Sequence, residues 1–246
     1  MSFITVNPAE IVKKQYFFKL RANIDAFSSL VGLQLLAILI SLWGTSSSGI
    51  YSGALSIDVR NYSSDIVIAF TMIWGFTTAI TITTKPFRHH DFTFVTNRVT
   101  SGVSNVLFLL TASVVGGILA MLARNLIILI VYSFFNQELY GSPMSDKGFF
   151  LGLFVSILYI FFVCSIGYLI GTLVQVNKAA VLIIPALVIG SIFFDAGMQR
   201  NPTVMNILEF YFLESSPWTF ALKALITAVV LYSASIAITN RMEVRK

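Results

Sequence analysis

Charge is what this sequence has least of. Only 11% of its 246 residues are Asp, Glu, Lys or Arg, against about a quarter in soluble domains. Hydrophobic residues make up 57%, a balance that excludes an ordinary soluble domain and implies an integral membrane protein. A hydrocarbon core about 30 Å thick is crossed by about 20 apolar residues in helical form. Such runs recur along the chain and leave no interval long enough for a soluble catalytic domain. Cysteine is almost missing: Cys164 has no second cysteine to pair with, so it carries no information about redox compartment. The opening MSFITVNPAEIVKKQ lacks the basic, apolar and small-residue succession of a secretory signal, so insertion is expected to use the first span itself.

Enzyme motifs are also wanting. The phosphate-cradling pattern GxxxxGK[ST] does not occur, since GTLVQVNK at Gly171 to Lys178 lacks the glycine before its lysine. Neither HExxH, CxxC nor GxSxG is found. His89, His90 and Asp91 are the one cluster with the look of metal ligands. Consecutive residues on a helix point in different directions, so the expectation there is a solvated turn and no metal. The spans themselves carry almost no ionisable groups, which disfavours proton or sodium coupling through the chain.

What is present reads as an all-α membrane protein with six spans, at residues 27–43, 65–84, 103–123, 149–174, 179–194 and 218–239. The remainder divides into an N-terminal segment 1–26, the membrane domain 27–240 and a tail 241–246. Cytoplasmic flanks retain Lys and Arg. Placing both termini inside leaves outside only Arg60, Arg124, Lys147, Arg200 and Lys223 of the sixteen Lys and Arg. The expectation is therefore a multi-pass cell-membrane protein with both termini cytoplasmic. The net charge of +5 would suggest nucleic acid in a soluble protein. Here the placement of the cations governs, and no nucleic-acid partner is expected.

Before the first span, Val12, Tyr16, Leu20 and Ile24 recur every four residues, with Lys14 and Arg21 opposite. This pattern fits an amphipathic helix lying in the inner leaflet against membrane lipid, or an ordinary positively charged flank. Between spans five and six, Asn201 and Pro202 form a helix-start signal for an apolar run too short to cross the bilayer, which should enter the outer interface and return. Ser216 and Pro217 repeat that signal for the last span. At Arg124 two readings stand: the third span continues as one long helix past the surface, or a second short segment rests there. The cost of a lipid-facing charge places Arg124 at or beyond the interface, with a functional intramembrane arginine as the alternative.

Several residues could shape a pathway or a subunit interface. Gln34 is the polar residue of the first span, Thr71, Gly75 and Thr78 share a face of the second, and Gly167 and Gly171 permit close helix approach. Pro185 should bend the fifth span, with Gly190 adding latitude. Between spans two and three, Pro86 should end the second helix. There follows a short basic segment in which Phe87 and Phe94 share a helical side with Asp91 and Arg98, suited either to docking in a protein cleft or to anchoring a loop at the interface.

This layout resembles the membrane subunit of a type II ATP-binding cassette exporter. It shares six spans with both termini inside, a basic surface helix first, a cytoplasmic element between spans two and three and a re-entrant hairpin between spans five and six. The resemblance implies that Lys85, Pro86, Phe87, Arg88, Asp91, Phe94 and Arg98 form a coupling helix resting on a separate ATPase subunit. ATP and Mg would be bound by that partner, with no cofactor in this chain and no enzymatic activity of its own. It further implies a second permease subunit, identical or related, facing this one across a path near spans one, two and five. Resemblance to the small bacterial members of the family implies an amphipathic-peptide cargo, while lipid-linked glycan and drug exporters share the architecture. The reading from another class is a membrane anchor or immunity protein that recruits a cytoplasmic partner and transports nothing.

Overall fold

The computed structural model describes residues 8–44, 46–52, 55–87, 97–135, 145–214 and 216–241. Eight helices are delimited there. They are α1 (Pro8–Ala22), α2 (Ile24–Ser41), α3 (Asp65–Thr83), α4 (Arg98–Phe135), α5 (Asp146–Val176), α6 (Ala180–Gly197), α7 (Thr203–Phe212) and α8 (Pro217–Arg241). Six of them, all except α1 and α7, are long and apolar enough to cross a membrane. The chain is a multi-pass membrane protein built on a helical bundle.

The expected spans fall on these helices with shifts at their ends. Asp65–Thr83 matches its expected span almost residue for residue. By contrast, the third span grows at both ends into one helix of 38 residues, about 57 Å long at 1.5 Å per residue. Arg124 lies within this unbroken helix, so the apolar residues after it continue the same helix and are not a separate segment.

Helix termini follow local chemistry. The Ser145 hydroxyl accepts from the Gly148 amide and starts α5. Gly44, at φ 94, takes the left-handed conformation that turns the chain out of α2. After α3, Thr84 is extended, while Lys85, Pro86 and Phe87 are again helical. The break thus falls at Thr84 and not at Lys85, because proline is at ease in the first turn of a new helix. Between α2 and α3 stands an element that the sequence reading leaves as a simple connection. It is an antiparallel hairpin of β1 (Ser46–Ser52) and β2 (Leu55–Asn61), with Ile50 opposite Ile57.

The bundle centres on α3, α4, α5 and α8, whose buried Ala79, Phe108, Leu109, Ile160, Cys164 and Ala228 form one core cluster. Small residues set the spacing of α3 and α5. A β-carbon on Gly75 would stand 2.9 Å from Cys164 Sγ, and one on Gly167 would stand 2.6 Å from the carbonyl oxygen of Phe76. Lacking a lipid-exclusion force between helices, such bundles rely on this close contact. A second cluster joins α2, α3 and α4 through Ala37, Val67, Ala120 and Ile127. α6 differs from the rest. Asp195 is its one buried residue, and Leu182, Leu187, Phe193 and Phe194 are all exposed.

Candidate functional site

At the end of the bundle where α4 begins, three helices are tied by buried polar side chains. Lys19 of α1 points into α4, where its ammonium donates to the Ser104 hydroxyl at 2.7 Å, the Ser101 carbonyl at 3.2 Å and the Asn105 amide oxygen. The Asn105 Nδ2 in turn donates to the Tyr168 hydroxyl of α5 at 3.2 Å. Lys19 is 4% exposed, and an ammonium so placed demands several strong acceptors. Nearby, Arg98 Nη1 donates to the Thr239 carbonyl at 3.1 Å, fastening the first turn of α4 to the end of α8.

This arrangement revises the expected face of α1. Tyr16 and Leu20 do turn inward: the Tyr16 hydroxyl is 2.8 Å from Thr111 Oγ1, and Leu20 packs on the core. Yet the most buried residues of α1 are Gln15 and Lys19, and Ile24, already in α2, is exposed. At Lys19 polar matching with α4 outweighs the apolar repeat, whereas the buried Gln15 amide meets no hydrogen-bond partner among the described residues. Val12 is half-buried and Arg21 exposed. Lys14 is exposed and pairs with Glu10 at 2.8 Å, which holds the Glu10 carboxyl below its ordinary range. The signal that could have found Lys19 is the SGVSN of α4, whose Ser101, Ser104 and Asn105 share one helical side opposite a lysine.

Of the residues between α3 and α4, Lys85 and Pro86 are exposed and Phe87 half-buried. Arg88, Asp91 and Phe94, together with His89 and His90, lie outside the described residues. So do the tail residues after Arg241.

Among the pathway candidates, Gln34 and Thr71 meet. Gln34 Nε2 donates to Thr71 Oγ1 at 2.9 Å and toward the Gly116 carbonyl at 3.4 Å. The Thr71 hydroxyl proton is spent on the Val67 carbonyl, 2.7 Å away in its own helix. Gly75 faces α5 instead. Thr78 is half-buried, and Pro185 and Gly190 lie exposed on α6. The α6 helix runs through Pro185 from Ala180 to Gly197. Gln34 also lines an apolar groove of about 580 Å³ between α2 and α4, with Leu35, Ile38, Leu122, Asn125 and Leu129.

At the opposite end of the bundle, α7 rests on α5 and α8 through aromatic contacts. Phe212 stacks on Tyr159 with ring centroids 5.0 Å apart, and the Tyr211 hydroxyl is 2.9 Å from Thr227 Oγ1. Asn201 does not cap this helix. Pro202 takes the cap position, and the Asp195 carboxylate, from the end of α6, accepts the Thr203 amide at 2.6 Å. Lys223 pairs with Glu214 and sits 3.8 Å over the Phe210 ring. No family model, no curated protein and no solved structure matches the chain.

Proposed function

We propose that this chain is the permease subunit of an ATP-driven exporter, in which a separate ATPase subunit presses on residues 85–98 and the bundle passes the motion on. What carries this reading is the way that segment joins the bundle. It leads directly into the first turns of α4, and those turns are bound to α1 through Lys19 and to α8 through Arg98. A displacement applied at Arg98 therefore reaches three helices at once. With both termini cytoplasmic in the cell membrane, this end of the bundle faces the ATPase, which supplies the ATP and Mg. The exposed α6 is then available to a second permease subunit, a copy or a relative. An uncharged apolar bundle suits an amphipathic or hydrophobic cargo reached from the inner leaflet, such as a membrane-active peptide. The narrower resemblance is to the permease of the phenol-soluble modulin exporter.

The test is co-purification of the full chain with the ATPase that accompanies it in native membranes. Phe87→Ala with Phe94→Ala should lower ATPase retention and abolish coupled transport while the membrane domain keeps its thermal stability. Retention equal to that of the unmodified protein would remove this docking segment from consideration. Purification that brings down a cytoplasmic partner without nucleotide hydrolysis or transport would favour the anchor reading.

A further inference from the structure

The groove between α2 and α4 holds one polar atom whose bonding is incomplete. Gln34 is 6% exposed, and both partners of its amide nitrogen, Thr71 and the Gly116 carbonyl, act there as acceptors. That fixes which way the amide points, since the reverse orientation would set oxygen against oxygen. Its carbonyl oxygen accepts no hydrogen bond among the described residues, although the residue lines the groove. An unmet acceptor in an apolar setting is costly, so the groove is matched to something that brings a donor.

Three features narrow the occupant. First, Gln34 stands mid-way along α2, ten residues after Ile24 and seven before Ser41. Ordinary bilayer lipids carry their donors at headgroup depth, far from this point. Second, a symmetric contact with Gln34 of another copy would need a free amide hydrogen, and both are already directed at Thr71 and Gly116. Third, size separates a helix from a single chain. A helix about 10 Å across displaces on the order of 1,000 Å³ over 13 Å of its length. The groove offers about 580 Å³, enough for an extended chain and for only the edge of a helix. Asn125, the other polar residue of the groove, lies nine residues along α4 from Gly116, about 13 Å away, with Leu126 and Leu129 lining the groove beyond it.

We infer that the α2–α4 groove binds an aliphatic amphiphile lying along α4, its polar end by Asn125 and a hydroxyl or amide donor partway down its chain bonded to Gln34. This goes beyond the exporter reading and does not need an ATPase. Binding is measured by native mass spectrometry of the full chain in nanodiscs of phosphatidylcholine, whose headgroup has no hydrogen-bond donor. The two probes are stearate and a stearate carrying a hydroxyl half-way along its chain.

The unmodified protein should retain the hydroxylated probe roughly 2- to 10-fold better, the range for one added hydrogen bond. Gln34→Leu should erase that preference while still holding stearate. Leu122→Trp, which fills the groove and leaves Gln34 intact, should lose both. Equal retention of the two probes by the unmodified protein overturns the inference, as does a preference that survives Gln34→Leu. Undiminished binding to Leu122→Trp also overturns it. Cysteines replacing Leu122 that cross-link two copies, with neither probe bound, would show that another protein chain covers the groove. Should Gln34→Leu fail to fold, the comparison of the unmodified protein with Leu122→Trp still decides. Because no second polypeptide is in the assay, its failure leaves the coupling proposal standing, and an absent ATPase leaves the groove standing.

Discussion

Lys19 and Ser104, 85 positions apart in the chain, meet at 2.7 Å in the interior. Removing the ammonium leaves the α4 acceptors without their donor, and hydrogen bonds to charged groups contribute about 1.5–3 kcal/mol. Lys19→Met should therefore lower stability by about that amount and free α1 from α4. Spin labels on α1 and α4 would show the inter-helix distance broadening; an unchanged narrow distribution would mean that packing alone holds α1.

Two glycines of similar sequence context should behave in opposite ways. At Gly167 an added methyl would collide with the backbone of α3, and Gly167→Ala should cost about 1–3 kcal/mol, the usual penalty of overpacking. Gly190 has no atom within 4 Å of such a methyl, so Gly190→Ala should be neutral or raise stability by up to about 1 kcal/mol through helix propensity. Thermal unfolding in detergent compares the pair directly.

The first amide of α7, that of Thr203, donates to the Asp195 carboxylate. Asp195→Ala should weaken the start of α7, and Asp195→Asn, which keeps an accepting oxygen, should retain most of its order. Amide exchange at Thr203 reports the difference: protection lost in the alanine variant and kept in the asparagine one.

The Glu214 carboxyl is held below its ordinary value, first by its hydrogen bond to Lys223. A carboxyl that releases its proton more readily in the folded protein than in the unfolded chain stabilises the fold above the ordinary glutamate range. That contribution is lost as pH falls through the lowered folded value. Fluorescence of Trp218, at the start of α8, should then change with acid below about pH 4.5. Glu214→Gln should remove that acid-dependent change.

The apolar runs of the six spans were legible because a bilayer imposes one rule on all of them: length and hydrophobicity. Asp65–Thr83 came through almost unchanged on that rule alone. The polar pairings were not legible. Lys19 reads as one more cation in a basic flank until α4 supplies Ser101, Ser104 and Asn105 to receive it. Likewise the repeat of Val12, Tyr16, Leu20 and Ile24 marks a helix but not the direction it faces, because a few buried hydrogen bonds can outweigh an apolar stripe inside a membrane. Asp195 sits eight residues before the amide it caps, beyond the reach of a local start signal. Gln34 stands out in the sequence as the rare polar residue of an apolar span, and Thr71 as a polar residue of the next. That they belong to one contact, with Gly116 as a third member, depends on how three helices cross.

The length of α4 has a mechanical consequence. A rigid rod of 38 residues outreaches the hydrocarbon layer, and pivoting it by about 5° near one end swings the other by about 5 Å. Rocking at the Arg98 end would thus arrive magnified near Phe135.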